Sequence, residues 1–216
     1  MVNLSNQQKG SLLAFVGVMF ITPDSLFIRL SSIDTWELLF YRGAIPSVVI
    51  LIALILFYKS NLIKVTLAMG LAGLFYALTF SVTNITFIVS IQNTNVANTL
   101  VMIATAPMLS AILAAVFLKE NPDKNTWIAI LITFLAVVYI FFDSFKLGNF
   151  FGDIFGLITA LGLAVGANII RSVRDKDLVP AAVIGKFLVA IFALFFVDNL
   201  ILQGRDNIIV PLMCIM

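Results

Sequence analysis

Two stretches decide how this chain is to be read: GSLLAFVGVMFITPDSLFIR, from Gly10 to Arg29, and GDIFGLITALGLAVGANIIR, from Gly152 to Arg171. Each opens on Gly, closes on Arg at the same spacing and is mostly apolar in between. Five hydrophobic segments separate the two starts. An odd number of crossings between two copies of one unit turns the second copy upside down in a bilayer, the arrangement from which many secondary transporters build alternating access. The repeat points to transport before any catalytic motif is sought.

Composition sets the class. With 62% hydrophobic and 11% charged residues, and a mean hydropathy of +1.12, the chain lacks the polar surface a soluble domain needs. It reads as an all-α integral membrane protein whose first partner is the lipid bilayer. A hydrocarbon core about 30 Å thick takes roughly 20 apolar residues per helix. Such runs follow one another at 11–28, 38–58, 65–91, 96–118, 126–142, 154–170 and 178–197, and the stretch from Asn207 to Met216 starts an eighth. Most are apolar all round and none alternates strictly, which predicts helices rather than barrel strands.

Basic residues orient the chain. With a cytoplasmic N-terminus, the inner ends and loops hold Lys9, Lys59, Lys64, Lys119, Lys124, Arg171, Arg174 and Lys176, against Arg29, Lys146 and Arg205 outside. Eight against three obeys the positive-inside rule. The first segment lacks a small-residue cleavage site and is interrupted by Pro23 and Asp24, so it is expected to stay as an uncleaved helix. The net charge of +2 belongs to the inner loops and gives no reason to expect nucleic acid. A single cysteine, Cys214, excludes an internal disulfide framework, and without histidine no transition-metal site is expected. No cofactor is implied.

Several of these features together carry a resemblance. Pro23-Asp24-Ser25 and Arg29 in the first segment, Trp36 and Arg42-Gly43 after it, then Ala97 to Pro107 and Lys119-Glu120, resemble the EamA domain of the drug/metabolite transporter superfamily. The resemblance implies two EamA units of five helices each, in inverted orientation, with both termini cytoplasmic. Residues 1–146 are expected to form the first unit, complete with five transmembrane helices. Residues 147–216 are expected to supply two helices of the second and the start of a third. On that reading the chain is a C-terminally truncated member, expected not to transport unaided, in a bacterial inner membrane.

Seven residues are candidates for substrate binding or coupling. Asp24 and Arg42 each lie about six residues from the outer end of their helix, so at a rise of about 1.5 Å per residue they share a depth and can meet. Charges at such depth are costly and often mark a pathway. The pair reads as a structural ion pair, as a binding or proton-coupling site beside the carbonyls freed by Pro23, or as an Arg42 that snorkels to the headgroups. Lys186 is the rough counterpart of Arg42 in the second repeat, and Gly166 stands where Asp24 should recur. Its charge therefore requires a carboxylate from elsewhere, a share of Asp24, an anionic group on a substrate, or snorkelling inward. Asn84 is an amide deep in an apolar segment, suited to lining a cavity or to a helix-to-helix hydrogen bond. Asn98 belongs to a polar hairpin running from Ser90 to Thr99, and Pro107 is expected to bend the fourth helix. Small residues at Ala106, Ser110 and Ala114, and at Gly152, Gly156, Gly162 and Gly166, predict close helix packing.

Two functions remain in view, besides a structural membrane subunit. The first is a secondary transporter or exporter of a small organic metabolite or drug by alternating access, with a small-molecule solute, a coupling ion and a homodimer as expected partners. The second is a membrane-embedded lipid-modifying enzyme, which calls for clustered Asp, Glu, His or Cys at the membrane face. Here the acids are scattered and histidine is absent. The protein is therefore expected not to be an enzyme.

Overall fold

The computed structural model describes residues 6–21, 23–120, 122–146, 150–202 and 204–215, and among these every regular element is a helix. The helices are α1 (Asn6–Ile21), α2 (Asp24–Leu30), α3 (Thr35–Tyr58), α4 (Leu62–Ala68), α5 (Gly70–Asn93), α6 (Val96–Ile103), α7 (Ala106–Phe117), α8 (Lys124–Lys146), α9 (Phe150–Ser172), α10 (Val179–Leu194) and α11 (Asp206–Ile215). Five continuous or nearly continuous helices are long and apolar enough to cross a membrane: Thr35–Ala68, Gly70–Asn93, Val96–Phe117, Lys124–Phe142 and Phe150–Ser172.

The two remaining apolar segments are shorter than expected, for local reasons. Pro23 brings a fixed φ and no N–H, and the first segment divides there into a helix of 16 residues and one of 7. The seventh segment is helical only from Val179 to Leu194. Pro107 sits in the first turn of α7, just after the break at Ala104 and Thr105, where the Thr105 hydroxyl donates to the Met102 carbonyl at 2.6 Å. Gly70 opens α5 at φ +58°, a left-handed conformation that glycine adopts without strain.

The bundle is built around α5 and α10. α10 is wedged between α3 and α5, and α5 continues onto α9, which carries the hairpin arm formed by α6 and α7. Leu38, Leu39, Ile88, Ile91, Val189 and Val210 are buried where α3, α5, α10 and α11 meet. The described side chains of α1 are all exposed, and those of α8 are mostly so. In an apolar chain such surfaces are suited to face lipid.

Close approach is what the small residues provide. A Cβ built on Gly43 would lie 2.6 Å from the Ala190 nitrogen and 2.7 Å from the Lys186 carbonyl oxygen, so α3 and α10 touch backbone to backbone. On the other side of α10, a Cβ on Gly185 would lie 2.8 Å from the Ala77 oxygen of α5. The interface of α5 with α9 is a seam of hydroxyls and glycines. Thr94 donates to Asp153 at 2.7 Å, Thr86 meets Thr159 at 2.8 Å, Ser90 lies beside Gly156, and Thr83 beside Gly162. Ser110, in the small face of α7, is reached by Asn168 of α9.

Candidate functional site

Four of the seven candidate residues come together at mid-bundle. The α2 break places Asp24 in the first turn after Pro23, buried, and α3 carries Arg42 opposite it. Arg42 grips the carboxylate with both terminal nitrogens: Nη1 bonds Oδ1, and Nη2 bonds Oδ2 at 3.0 Å. The two side chains are only 14% and 12% exposed. This fork-on-fork geometry is the strongest that a guanidinium makes, and it rules out a snorkelling Arg42. Pro46, one turn further along α3, has no N–H to offer the Arg42 carbonyl.

Lys186 enters from α10, where Gly43 lets that helix lie against α3. Its ammonium donates to Oδ1 of Asn84, on α5, at 2.7 Å and stands 5.7 Å from the centroid of the Phe80 ring. Asn84 in turn donates through Nδ2 to the Phe80 carbonyl at 2.7 Å, which fixes its oxygen toward the lysine. So Asn84 makes a helix-to-helix hydrogen bond, with a partner 102 positions away. Among the described residues, the ion pairs within 4 Å are Arg42 with Asp24 and Arg171 with Glu120. Lys186 has neither carboxylate.

The other three candidates are placed differently. Pro23 is beside Asp24 in sequence and accepts the Phe27 N–H at 3.0 Å. Asn98 and Pro107 lie on the α6–α7 arm, which packs chiefly on α9, away from the Lys186 helix. Pro107 is exposed.

Two networks that sequence reasoning did not assign close the ends of the bundle. At one end, Arg29 bonds the Thr94 carbonyl, Thr35 bonds Gln92, and the Thr94 hydroxyl reaches Asp153. A polar groove of about 490 Å³ opens there among Arg29 and residues 92–96. Asp153 is fully buried, and its second oxygen has no partner among the described residues. The only sequence signal was an acid placed directly after Gly152, in the first turn of a helix, where the dipole favours it. At the opposite end Arg171 bonds both oxygens of Glu120, at 2.7 and 2.6 Å, and Tyr58 bonds Asp177. A further groove of about 500 Å³ between α8 and α9 is lined by Phe, Val and Leu side chains alone, with nothing to orient a polar solute.

A bundle of apolar helices with bridged charges and amides at its centre defines an integral membrane protein of the all-α class. The chain belongs to the EamA-like transporter family, whose family model matches residues 8–142. That match runs from α1 into α8 and includes Asp24, Arg42 and Asn84, while Lys186 lies beyond it. The family is one of membrane transporters. No curated protein and no solved structure matches the chain.

Proposed function

We propose that the chain is a secondary transporter of a small organic solute. It works as a homodimer, by alternating access between two inverted units, residues 1–146 and 147–216, with its N-terminus in the cytoplasm; in that form it transports, in place of the expectation that a single chain does not transport unaided. Asp24, Arg42, Asn84 and Lys186 form its central polar site. The observation that carries this reading is the Lys186 to Asn84 bond: it joins a charged residue of the second unit to an amide of the first, inside the bundle, beside a buried ion pair. Charges kept inside a membrane bundle are expensive, and they mark solute and ion pathways more often than they stabilise a fold. The end networks suit gates. Glu120 with Arg171 ties the α7 end to α9 at one mouth, and Thr94 with Asp153 ties the α5–α6 turn to α9 at the other. Asn98 and Pro107 belong to the arm that would move with α9.

Proteoliposomes holding the purified full chain test the proposal. They are loaded with a defined mixture of amino acids, small carboxylates, phosphate esters and nucleosides, and efflux is followed by mass spectrometry. At least one component should leave saturably, and the flux should be lost in Arg42→Gln. If every component leaves at the rate of protein-free liposomes, the transporter reading is wrong.

A further inference from the structure

We infer that the solute bound at this site carries an anionic group, a carboxylate or phosphate, and that Lys186 receives it. This rests on the transporter reading and gives it a substrate class. The argument is one of charge. The four residues hold one carboxylate, one guanidinium and one ammonium. Both oxygens of the carboxylate are already engaged by the guanidinium, so the cluster is left with one uncompensated positive charge on Lys186.

The surroundings of Lys186 do not neutralise that charge. Its bonded partner is a neutral amide oxygen, and its second contact is the face of an aromatic ring. Both lower the cost of holding a cation in an apolar bundle, by dipole and by quadrupole. Neither supplies a countercharge. An ammonium also has three N–H donors, of which Asn84 takes one.

A dedicated structural pair would have placed a carboxylate here, as at Arg42. The residue in the repeat position of Asp24 is instead Gly166, which packs against the Tyr76 ring. An arriving oxyanion would find on Lys186 a donor beyond the one Asn84 takes, and a positive charge with no carboxylate of its own. A cationic solute would meet the Lys186 charge as repulsion, with the Asp24 carboxylate already taken by Arg42.

The test uses detergent-purified full chain and its thermal midpoint. Lactate, succinate and glycerol phosphate are compared with lactamide, succinamide and glycerol, and with tetraphenylphosphonium as the cation. At least one anion should raise the midpoint saturably while its neutral counterpart does not. Hydrogen bonds to a charged group are worth enough that Lys186→Gln should weaken the apparent affinity about tenfold or more, and Lys186→Arg should retain most of it. Because Lys186→Gln and Lys186→Met remove an unpaired charge, both should stay monodisperse, which separates lost binding from lost fold. The inference is overturned if no anion shifts the midpoint, if the neutral counterpart acts equally, or if the shift survives in both Lys186→Gln and Lys186→Met. Counterflow of tetraphenylphosphonium or of the amides, without the anions, would leave the transporter reading standing and sink this one. Anion binding that depends on Lys186, without flux of any solute, would do the reverse.

Discussion

Adding one methyl group at Gly43 should loosen the whole bundle, and the size of the effect follows from where α10 is wedged. The new Cβ would lie 2.6 Å from the Ala190 nitrogen, 2.7 Å from the Lys186 oxygen and 3.0 Å from the Ala190 Cα. Unstrained contacts of this kind begin near 3.5 Å, so α10 would have to retreat by roughly 0.8 Å to restore them. It has nowhere to go. Gly185 already holds it against the Ala77 carbonyl of α5, and the Ser81 hydroxyl bonds the Gly185 oxygen at 2.9 Å. All three obstructing atoms are backbone, so no rotamer relieves them. Overpacking of this type costs about 1 to 3 kcal/mol, against which the better helix propensity of Ala returns at most about 1 kcal/mol. A net loss of about 1 kcal/mol or more is expected for Gly43→Ala. Two other glycines calibrate the result. Gly17 has nothing within 4 Å, so Gly17→Ala should hold or raise stability; Gly166→Ala meets the Tyr76 ring at an ordinary 3.4 Å and should be near neutral. Unfolding of the three variants in mixed micelles, followed by helical circular dichroism, gives the order. Should Gly43→Ala prove as stable as Gly17→Ala, α3 and α10 are not in backbone contact and the placement of Lys186 against Asn84 fails with it.

Two more expectations follow from the charges. Removing one member of the Asp24–Arg42 pair leaves the other uncompensated, a loss of about 3 to 5 kcal/mol, so Asp24→Asn and Arg42→Gln should each lower the protein level, and the double variant should recover part of it. A double variant no better than the worse single one would show that the two are not energetic partners. For topology, Asn95→Cys and Lys176→Cys, each in a Cys214→Ser background, should label from outside and from inside respectively with an impermeant thiol reagent; labelling of Lys176→Cys in intact cells would reverse the orientation.

What was legible in the sequence was whatever obeys local or additive physics. Hydropathy and length place five of the seven expected spans as long apolar helices, and Pro23 announces the break between α1 and α2 that shortens the first. The cost of a lone buried charge says that Asp24 and Arg42 need partners, and their shared depth makes them partners for each other. The bond between Lys186 and Asn84 was out of reach, because neither residue carries a mark of the other and the helices that present them are set by Gly43 and Gly185. Asn98 and Pro107 show the converse limit: polarity and a proline mark residues that need accommodation, without saying on which side of α9 they receive it. Asp153 drew no notice because an acid beside a helix start is ordinary, and only the turn packed over Gly152 makes it buried.

The hydroxyls between α5 and α9 have a consequence for motion. Thr83, Thr86 and Thr159 each also donate to, or lie within bonding distance of, a carbonyl of their own helix four residues back, namely those of Thr79, Val82 and Phe155. A leucine seam would resist separation through lost packing, and a seam of amides would leave orphaned donors in hydrocarbon. Here the hydroxyls of Thr83, Thr86 and Thr159 each have a carbonyl on their own helix to return to if the partner leaves, whereas Thr94 would have to give up Asp153. A small slip between the two helices along the middle of this seam would therefore leave no hydroxyl orphaned in hydrocarbon, and the bond that such a slip has to break is the one from Thr94 to Asp153.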